Sequence, residues 1–362
     1  MTLIDTDDQR DLASSVKRFV AGQAPMSAVR KTIAAEQAFD PEVWRRLSQD
    51  LGVAGLAIPE EYGGAGASWS ETVVALRELG AGLVPTPLLA TSVLATGTLL
   101  ALDDEEARRE WLPRFAEGTA IGTLAVSEGP RREWPVADSG CVVADGTITG
   151  TKTAVLNAAE ADVLLVPTAE GVVLVEKDAP GLTVTPVESL DLTRGIANVS
   201  LEGTPGRLLA GNAAAALEKV ADLANLALAT EQAAATKACL DMTTEFAKIR
   251  YSFGQPIGIY QGVKHPLADI YTDWALTDAA VRKAAESLAE GSPTASLDAA
   301  SARLLASAGY VAAAKMTMLL HGGIGFTWEH DAHLYYRNAI TGNVLLGGPT
   351  AQQDRVAEKL GV

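Results

Sequence analysis

The chain has 362 residues, 48% of them apolar and 5% aromatic, with 45 acidic against 29 basic side chains and a formal charge of −16. That length is too great for one ordinary core and predicts two or three domains. The apolar share excludes a disordered chain, and the acidity excludes non-specific binding to nucleic acid or anionic membranes, which need a positive surface.

In chain order, the first hundred or so residues read as helices. "DDQRDLASSVKRFVAG" and "DPEVWRRLSQDLGVAG" carry apolar residues at three- and four-residue spacing and end at Gly. "IPEEYGGAGAS" is a turn-rich loop, and "SWSETVVALRELGAGLV" begins a helix behind a serine cap. "DDEEARREWLPRFAEG" closes the block. From about Ile121 the runs become short and β-branched, and the Asp-Gly in "VVADGTITG" predicts a hairpin. After "GRLLAGN" the pattern is helical again, beginning with "AAAALEKVADLANLALATEQAAATKACLDMTTEFAKIR", which has a candidate break near Ala224. The expected units are an N-terminal helical domain over 1–117, a β-domain over 118–206 and a helical bundle over 207–362.

Cys141 and Cys239 lie far apart in sequence, which argues against a disulfide or a metal site and fits a reducing cytoplasm. "MTLIDTDDQRDL" is acidic and unlike a signal peptide. No apolar stretch reads as long and uncharged enough to span a bilayer.

Chemistry concentrates in "IRYSFGQPIGIYQGVKH". Arg250 ends a helix, where the macrodipole favours a cation, and Phe253 could pack beneath the turn. The same residues, with Gln261 eleven positions after the arginine, also suit a diphosphate bearing a ring system. Gly322, Gly323 and Gly325 follow a helix instead of a strand, which matches a helix C-cap and not a dinucleotide fingerprint. His321, His330 and His333 lack a metal-binding spacing, so no metal is expected.

Together "AIPEEYGGAG", "RYSFGQPIGIYQ" and "HGGIGFTWEHDAHLYYRNA" resemble the acyl-CoA dehydrogenase family over nearly the whole chain. The resemblance implies an N-terminal α-helical domain, a middle β-domain and a C-terminal four-helix bundle. It also implies FAD as cofactor, an acyl-CoA substrate and an electron-transfer acceptor flavoprotein. In such proteins a glutamate removes the α-proton and the flavin accepts the β-hydride. Cofactor contacts are implied for Arg250, Phe253, Gln261, Gly322, Gly323, Gly325 and Ser127.

Several family positions are changed. The usual glutamate falls on Leu346, and the alternative base position on the first bundle helix falls near Ala224; Glu231 is the nearest carboxylate. In "VSEGPRREW", Ser127 and Glu128 match the family's β-domain motif, but its Gly-Ser-Asp part is gone. The "Trp-Ile-Thr" beside the flavin becomes Ala154, Val155 and Leu156, and a frequent Gln becomes Leu319. The residues that such a subunit lends to its neighbour's FAD remain, whereas those it uses itself are mostly lost. This pattern resembles the non-catalytic partner chain of actinobacterial heteromeric acyl-CoA dehydrogenases of steroid side-chain degradation. Two other readings stay open: a self-sufficient enzyme with Glu231 as base, and a flavin-free scaffold.

Overall fold

The computed structural model describes residues 5–129, 134 and 139–362. The lost Gly-Ser-Asp segment lies partly at 130–133, outside those residues. Helices α1 (Asp7–Gln23), α2 (Met26–Ala34), α3 (Pro41–Gln49) and α4 (Trp69–Ala81) come first. Ser68 caps α4 as the sequence predicts: its hydroxyl accepts from Ser70 N–H at 3.0 Å, and Glu71 returns a bond to Ser68 N–H at 2.9 Å. The glycine-rich loop before it is sterically determined, since a Cβ on Gly64 would lie 2.1 Å from the Ile58 carbonyl oxygen. A π-helical stretch, Leu89–Ala95, runs into α5 (Thr96–Ala101), and α6 (Glu105–Ala116) completes the block.

Two four-stranded sheets follow. Strands β1 (Gly122–Leu124), β2 (Val142–Ala144), β3 (Thr147–Leu156), β4 (Val163–Pro167), β5 (Val172–Glu176), β6 (Leu182–Pro186), β7 (Ile196–Pro205) and β8 (Arg207–Leu208) order as β1-β4-β5-β8 and β2-β3-β7-β6. Only the β1–β4 pairing is parallel among these strands. The predicted hairpin joins β2 to β3, with Asp145 and Gly146 at φ 50° and 75°, the left-handed pair that its two-residue turn requires.

Glu128 is a cross-link inside this region. Its carboxylate accepts from the fully buried Lys152 ammonium, from Ser139 Oγ at 2.7 Å and from Gly140 N–H at 2.6 Å. Lys152 also donates to the Pro167 carbonyl at 2.9 Å. Burial pushes the Glu128 pKa up, but these donors outweigh it and hold the carboxyl below its ordinary range. A depressed carboxyl pKa stabilises the fold above its unfolded value near ~4.3, and that contribution is lost as pH falls through the folded value. Glu128→Gln, which strands the Lys152 charge, is therefore expected to cost about 3 kcal/mol at pH 7. Urea melts should show the deficit shrinking as pH drops below ~4.

The C-terminal bundle comprises α7 (Ala213–Ile249), α8 (Gln261–Ala289), α9 (Ala295–His321) and α10 (Ala332–Val344), with α11 (Pro349–Leu360) packed on α9. Two sequence expectations need correction here. First, α7 has no break at Ala224: its 37 residues contain no Gly or Pro, and the helix runs about 55 Å at 1.5 Å per residue. Second, the stretch Ala295–Phe326 is long and apolar enough to cross a membrane by length and composition. Its apolarity comes from an alanine face, Ala299, Ala302, Ala306 and Ala313, which packs in the bundle interior against α7 and α8. Both cysteines are buried and unpaired, and no cluster of metal-binding side chains occurs among the described residues.

Candidate functional site

The motif at the end of α7 forms an exposed hairpin. Arg250 is the C-cap residue, its N–H donating to the Phe246 carbonyl at 2.9 Å. Tyr251–Ser252 pairs antiparallel with Gln255–Pro256, leaving Phe253 and Gly254 at the tip with φ 49° and 78°. Phe253 is 95% exposed and is not the core residue that the turn alone suggested. Holding a bulky residue in the left-handed region costs ~1–2 kcal/mol, and no packing among the described residues offsets it. The hairpin is braced by Tyr260, whose hydroxyl donates to the Ser252 carbonyl at 2.9 Å, and by Ile257 N–H to the Arg250 carbonyl at 2.8 Å. Arg250 and Gln261 are exposed.

The glycine cluster lies at the neighbouring helix end. Phe246, one turn before Arg250, stacks on His321 with ring centroids 4.3 Å apart, and His321 immediately precedes Gly322. Gly322 has φ 64° as the C-cap of α9. A Cβ on Gly325 would meet the Met318 carbonyl at 2.6 Å, whereas Gly323 faces open space. Ile249, Tyr251, Phe326 and Trp328 are exposed apolar residues on these same segments. Single exposed apolar residues are ordinary, but a run of them on adjoining loops marks an interaction surface.

The positions expected to serve the chain's own chemistry are buried, and all but Ser127 are apolar. Leu346 is 7% exposed with φ 54°, a hydrocarbon in a strained left-handed turn. Ala224 is buried in α7. Ser127, Ala154, Val155 and Leu156 are all buried within the chain. Leu156 lines a cavity of about 30 Å³ together with Leu76, Leu79, Leu83, Leu88 and Leu89. That volume admits about one or two waters, against roughly 300–1,000 Å³ for a pocket holding a small ligand or cofactor. Taken by itself, this cavity is too small for a flavin ring.

Glu231 faces that cavity, but its carboxylate is engaged by Arg194 at 2.5 Å. Arg194 also lies 3.3 Å from Asp191. Burial works against the Arg194 charge, yet Glu231 and Asp191 outweigh it and raise its pKa. Asp191 is itself fully buried and accepts from Thr193 N–H at 2.9 Å, Thr193 Oγ1 at 2.6 Å and Asn338 Nδ2 at 2.9 Å. Beside it, the fully buried Arg303 donates to Gln232 Oε1 at 2.7 Å, to the Gly342 carbonyl at 2.5 Å and to the Leu345 carbonyl at 3.2 Å. Desolvation, then repulsion from Arg194, lowers the Arg303 pKa to about 9, so it remains a cation at neutral pH.

Sequence reasoning missed Arg194, Asp191 and Arg303. A signal existed only for Arg303, which sits at helical spacing from Ala299, Ala306 and Tyr310 and so shares their buried face.

A helical–β–helical subunit with an exposed Arg–Phe–Gln hairpin is the architecture of flavoprotein acyl-thioester dehydrogenases, and comparisons with known proteins agree. Residues 6–119 match the acyl-CoA dehydrogenase N-terminal domain, and residues 214–361 match the acyl-CoA dehydrogenase C-terminal domain. Acyl-CoA dehydrogenase IpdE2 of Mycolicibacterium smegmatis is 36% identical, covering 97% of this chain and 98% of its own length. Acyl-CoA dehydrogenase FadE27 of Mycobacterium tuberculosis is 32% identical, with 99% of each chain covered. The solved ChsE4–ChsE5 complex from Mycobacterium tuberculosis contains a chain with 31% identity and a TM-score of 0.91, covering 100% of this chain and 99% of that one. The chain belongs to the acyl-CoA dehydrogenase family, whose members are FAD-dependent oxidoreductases.

Proposed function

We propose that this chain is the partner subunit of a two-chain, FAD-dependent acyl-CoA dehydrogenase acting on a bulky acyl-CoA thioester in the cytoplasm. The observation that carries the reading is the pairing of a hydrocarbon, Leu346, at the proton-removing position with Glu231 committed to Arg194. The subunit then has no free carboxylate at either family base position. Its contribution is the exposed hairpin: Arg250 donates charge-assisted bonds to a diphosphate held mainly by the neighbour, Phe253 covers an attached ring, and Gln261 supplies a further polar contact. Gly323 and the adjoining glycines let backbone approach the same group closely. The neighbouring subunit supplies the glutamate and the ring pocket, FAD supplies the hydride acceptor when bound there, and a separate electron-transfer flavoprotein takes the electrons onward.

Likeness to chains of the ChsE4–ChsE5 complex and to a Tcur3481–Tcur3483 steroid enzyme variant, at 31% and 30% identity, supports a two-chain assembly and a steroid-like acyl group. A flavin-free scaffold is disfavoured by the hairpin, since a strained and exposed Phe253 packs on nothing among the described residues. The test is a mixing assay with a steroid side-chain acyl-CoA and an artificial electron acceptor. The purified chain alone should show no turnover, and co-expression with a second family chain from the same genome should produce it. Turnover by the chain alone would overturn the reading.

A further inference from the structure

A second cleft, of about 760 Å³, opens between α4 and α8 where both pack on α7. That volume lies within the ~300–1,000 Å³ of small-molecule sites. Its lining divides by depth. The buried members are Val74 of α4, Thr230, Ala233 and Ala234 of α7, and Val281 and Ala285 of α8. The Thr230 hydroxyl is spent on the Leu226 carbonyl at 2.8 Å, so the interior presents hydrocarbon. The mouth is charged, and two of its arginines converge on one carboxylate. Arg77 of α4 and Arg282 of α8 reach Asp5 at 3.0 and 2.5 Å. Asp5 belongs to neither helix: it precedes Thr6, the N-cap of α1. Its main-chain carbonyl accepts from Arg10 at 2.5 Å, so the side chain can turn away while its backbone stays tied to α1. Burial pushes the Asp5 pKa up, but the two guanidiniums outweigh it and hold the carboxyl below its ordinary range, so it bridges them as an anion. Glu78 lies 3.3 Å from Arg77, and Asp278 lies 2.8 Å from Arg282. Among the described residues the other charges of the lining are Lys17, Lys237, Asp241, Glu286 and Glu290. Of these, Lys237 is engaged by Asp241 at 2.6 Å and lies 5.3 Å over the Trp274 indole.

We propose that this cleft binds an amphipathic carboxylic acid: its apolar body lies against the valine and alanine interior, and its carboxylate takes the place of the Asp5 side chain between Arg77 and Arg282. Asp5 itself demonstrates the fit, since the two guanidiniums already share one carboxylate at that point. Guanidinium–carboxylate contacts are among the strong hydrogen bonds, and a ligand carboxylate satisfies the same two arginines that Asp5 releases. A cationic ligand would meet those arginines as like charges, and a neutral one would leave Asp5 where it is. Asp5 is thus a latch that competes with the ligand. None of the residues assigned to the borrowed cofactor lines this cleft, so the site stands or falls apart from the proposed function.

The experiment titrates the full chain calorimetrically with decanoate and, as an uncharged control of equal length, with decanol. Decanoate is expected to bind once per chain, and about tenfold more tightly to Asp5→Asn than to the wild type. That factor is the weight of one charge-assisted contact at ~1.4 kcal/mol per decade. Asp5→Asn/Arg282→Gln should lose the gain, and decanol should bind all three proteins alike. Ala238→Phe, which fills the cleft from α7, should weaken both probes. Ala289→Trp, at an exposed lining position of α8, replaces it if Ala238→Phe does not fold. Three results would each overturn the site: no decanoate binding by Asp5→Asn, an equal gain for decanol, or binding indifferent to the cleft-filling variant.

Discussion

Glu231→Gln is expected to cost the chain about 3–5 kcal/mol in stability. The same change should leave turnover of the assembled two-chain enzyme within about twofold, below ~0.4 kcal/mol in barrier height. The stability loss follows from what the carboxylate does. It receives the Arg194 guanidinium at 2.5 Å in a setting where both side chains are under a fifth exposed. Gln keeps the shape but removes the charge, leaving Arg194, among the described residues, with the more distant Asp191 at 3.3 Å. It also removes the attraction that offsets repulsion between Arg194 and Arg303. Breaking a buried pair from one side is costly because the survivor stays desolvated. A catalytic base would behave in the opposite way: Gln would preserve the fold and erase turnover. Denaturant titration of the variant, paired with kcat and KM of the assembled enzyme, separates the two outcomes.

Arg250→Ala combined with Phe253→Ala should do the reverse. Both residues are exposed, so the chain's own unfolding free energy is expected to stay within about 0.5 kcal/mol of the parent. Flavin retention by the assembled enzyme is expected to fall by about 10–100-fold. That range corresponds to the ~1.5–3 kcal/mol of a hydrogen-bonded charge contact at ~1.4 kcal/mol per decade. Phe253→Gly adds a diagnostic, because φ 49° suits glycine: it should raise chain stability by about 1 kcal/mol while still weakening flavin retention. Equilibrium dialysis of flavin and thermal melts of the separate chain give the two readouts. Unchanged retention would remove the hairpin from the cofactor site.

Local chemistry made much of this legible beforehand. Asp145-Gly146 announced its hairpin because few other pairs accept two left-handed residues in succession, and Ser68 announced its helix as a serine cap. That Leu346 stands at the base position is an expectation from the family resemblance, and the proposed function depends on it. What stayed hidden depended on contacts between distant segments. Arg194 stands in "DLTRGIAN", a turn-like stretch where an arginine normally reaches solvent. Its burial comes from α7 and α10 closing over the loop between β6 and β7, and nothing local records that. Phe253 was ambiguous for a related reason: an aromatic next to a turn packs inward or points outward according to what covers it. In α9 the long apolar run reflects small side chains filling a bundle interior, so composition by itself could not separate a core helix from a membrane span.

The most direct measurement is the visible absorbance of oxidised flavin, the cofactor whose chemistry the reaction needs, taken on the purified chain and on the chain co-expressed with a second family member. A colourless chain that becomes yellow only in the two-chain complex is the expected result. A chain that purifies alone with stoichiometric FAD and reduces it on adding an acyl-CoA would contradict the borrowed active site.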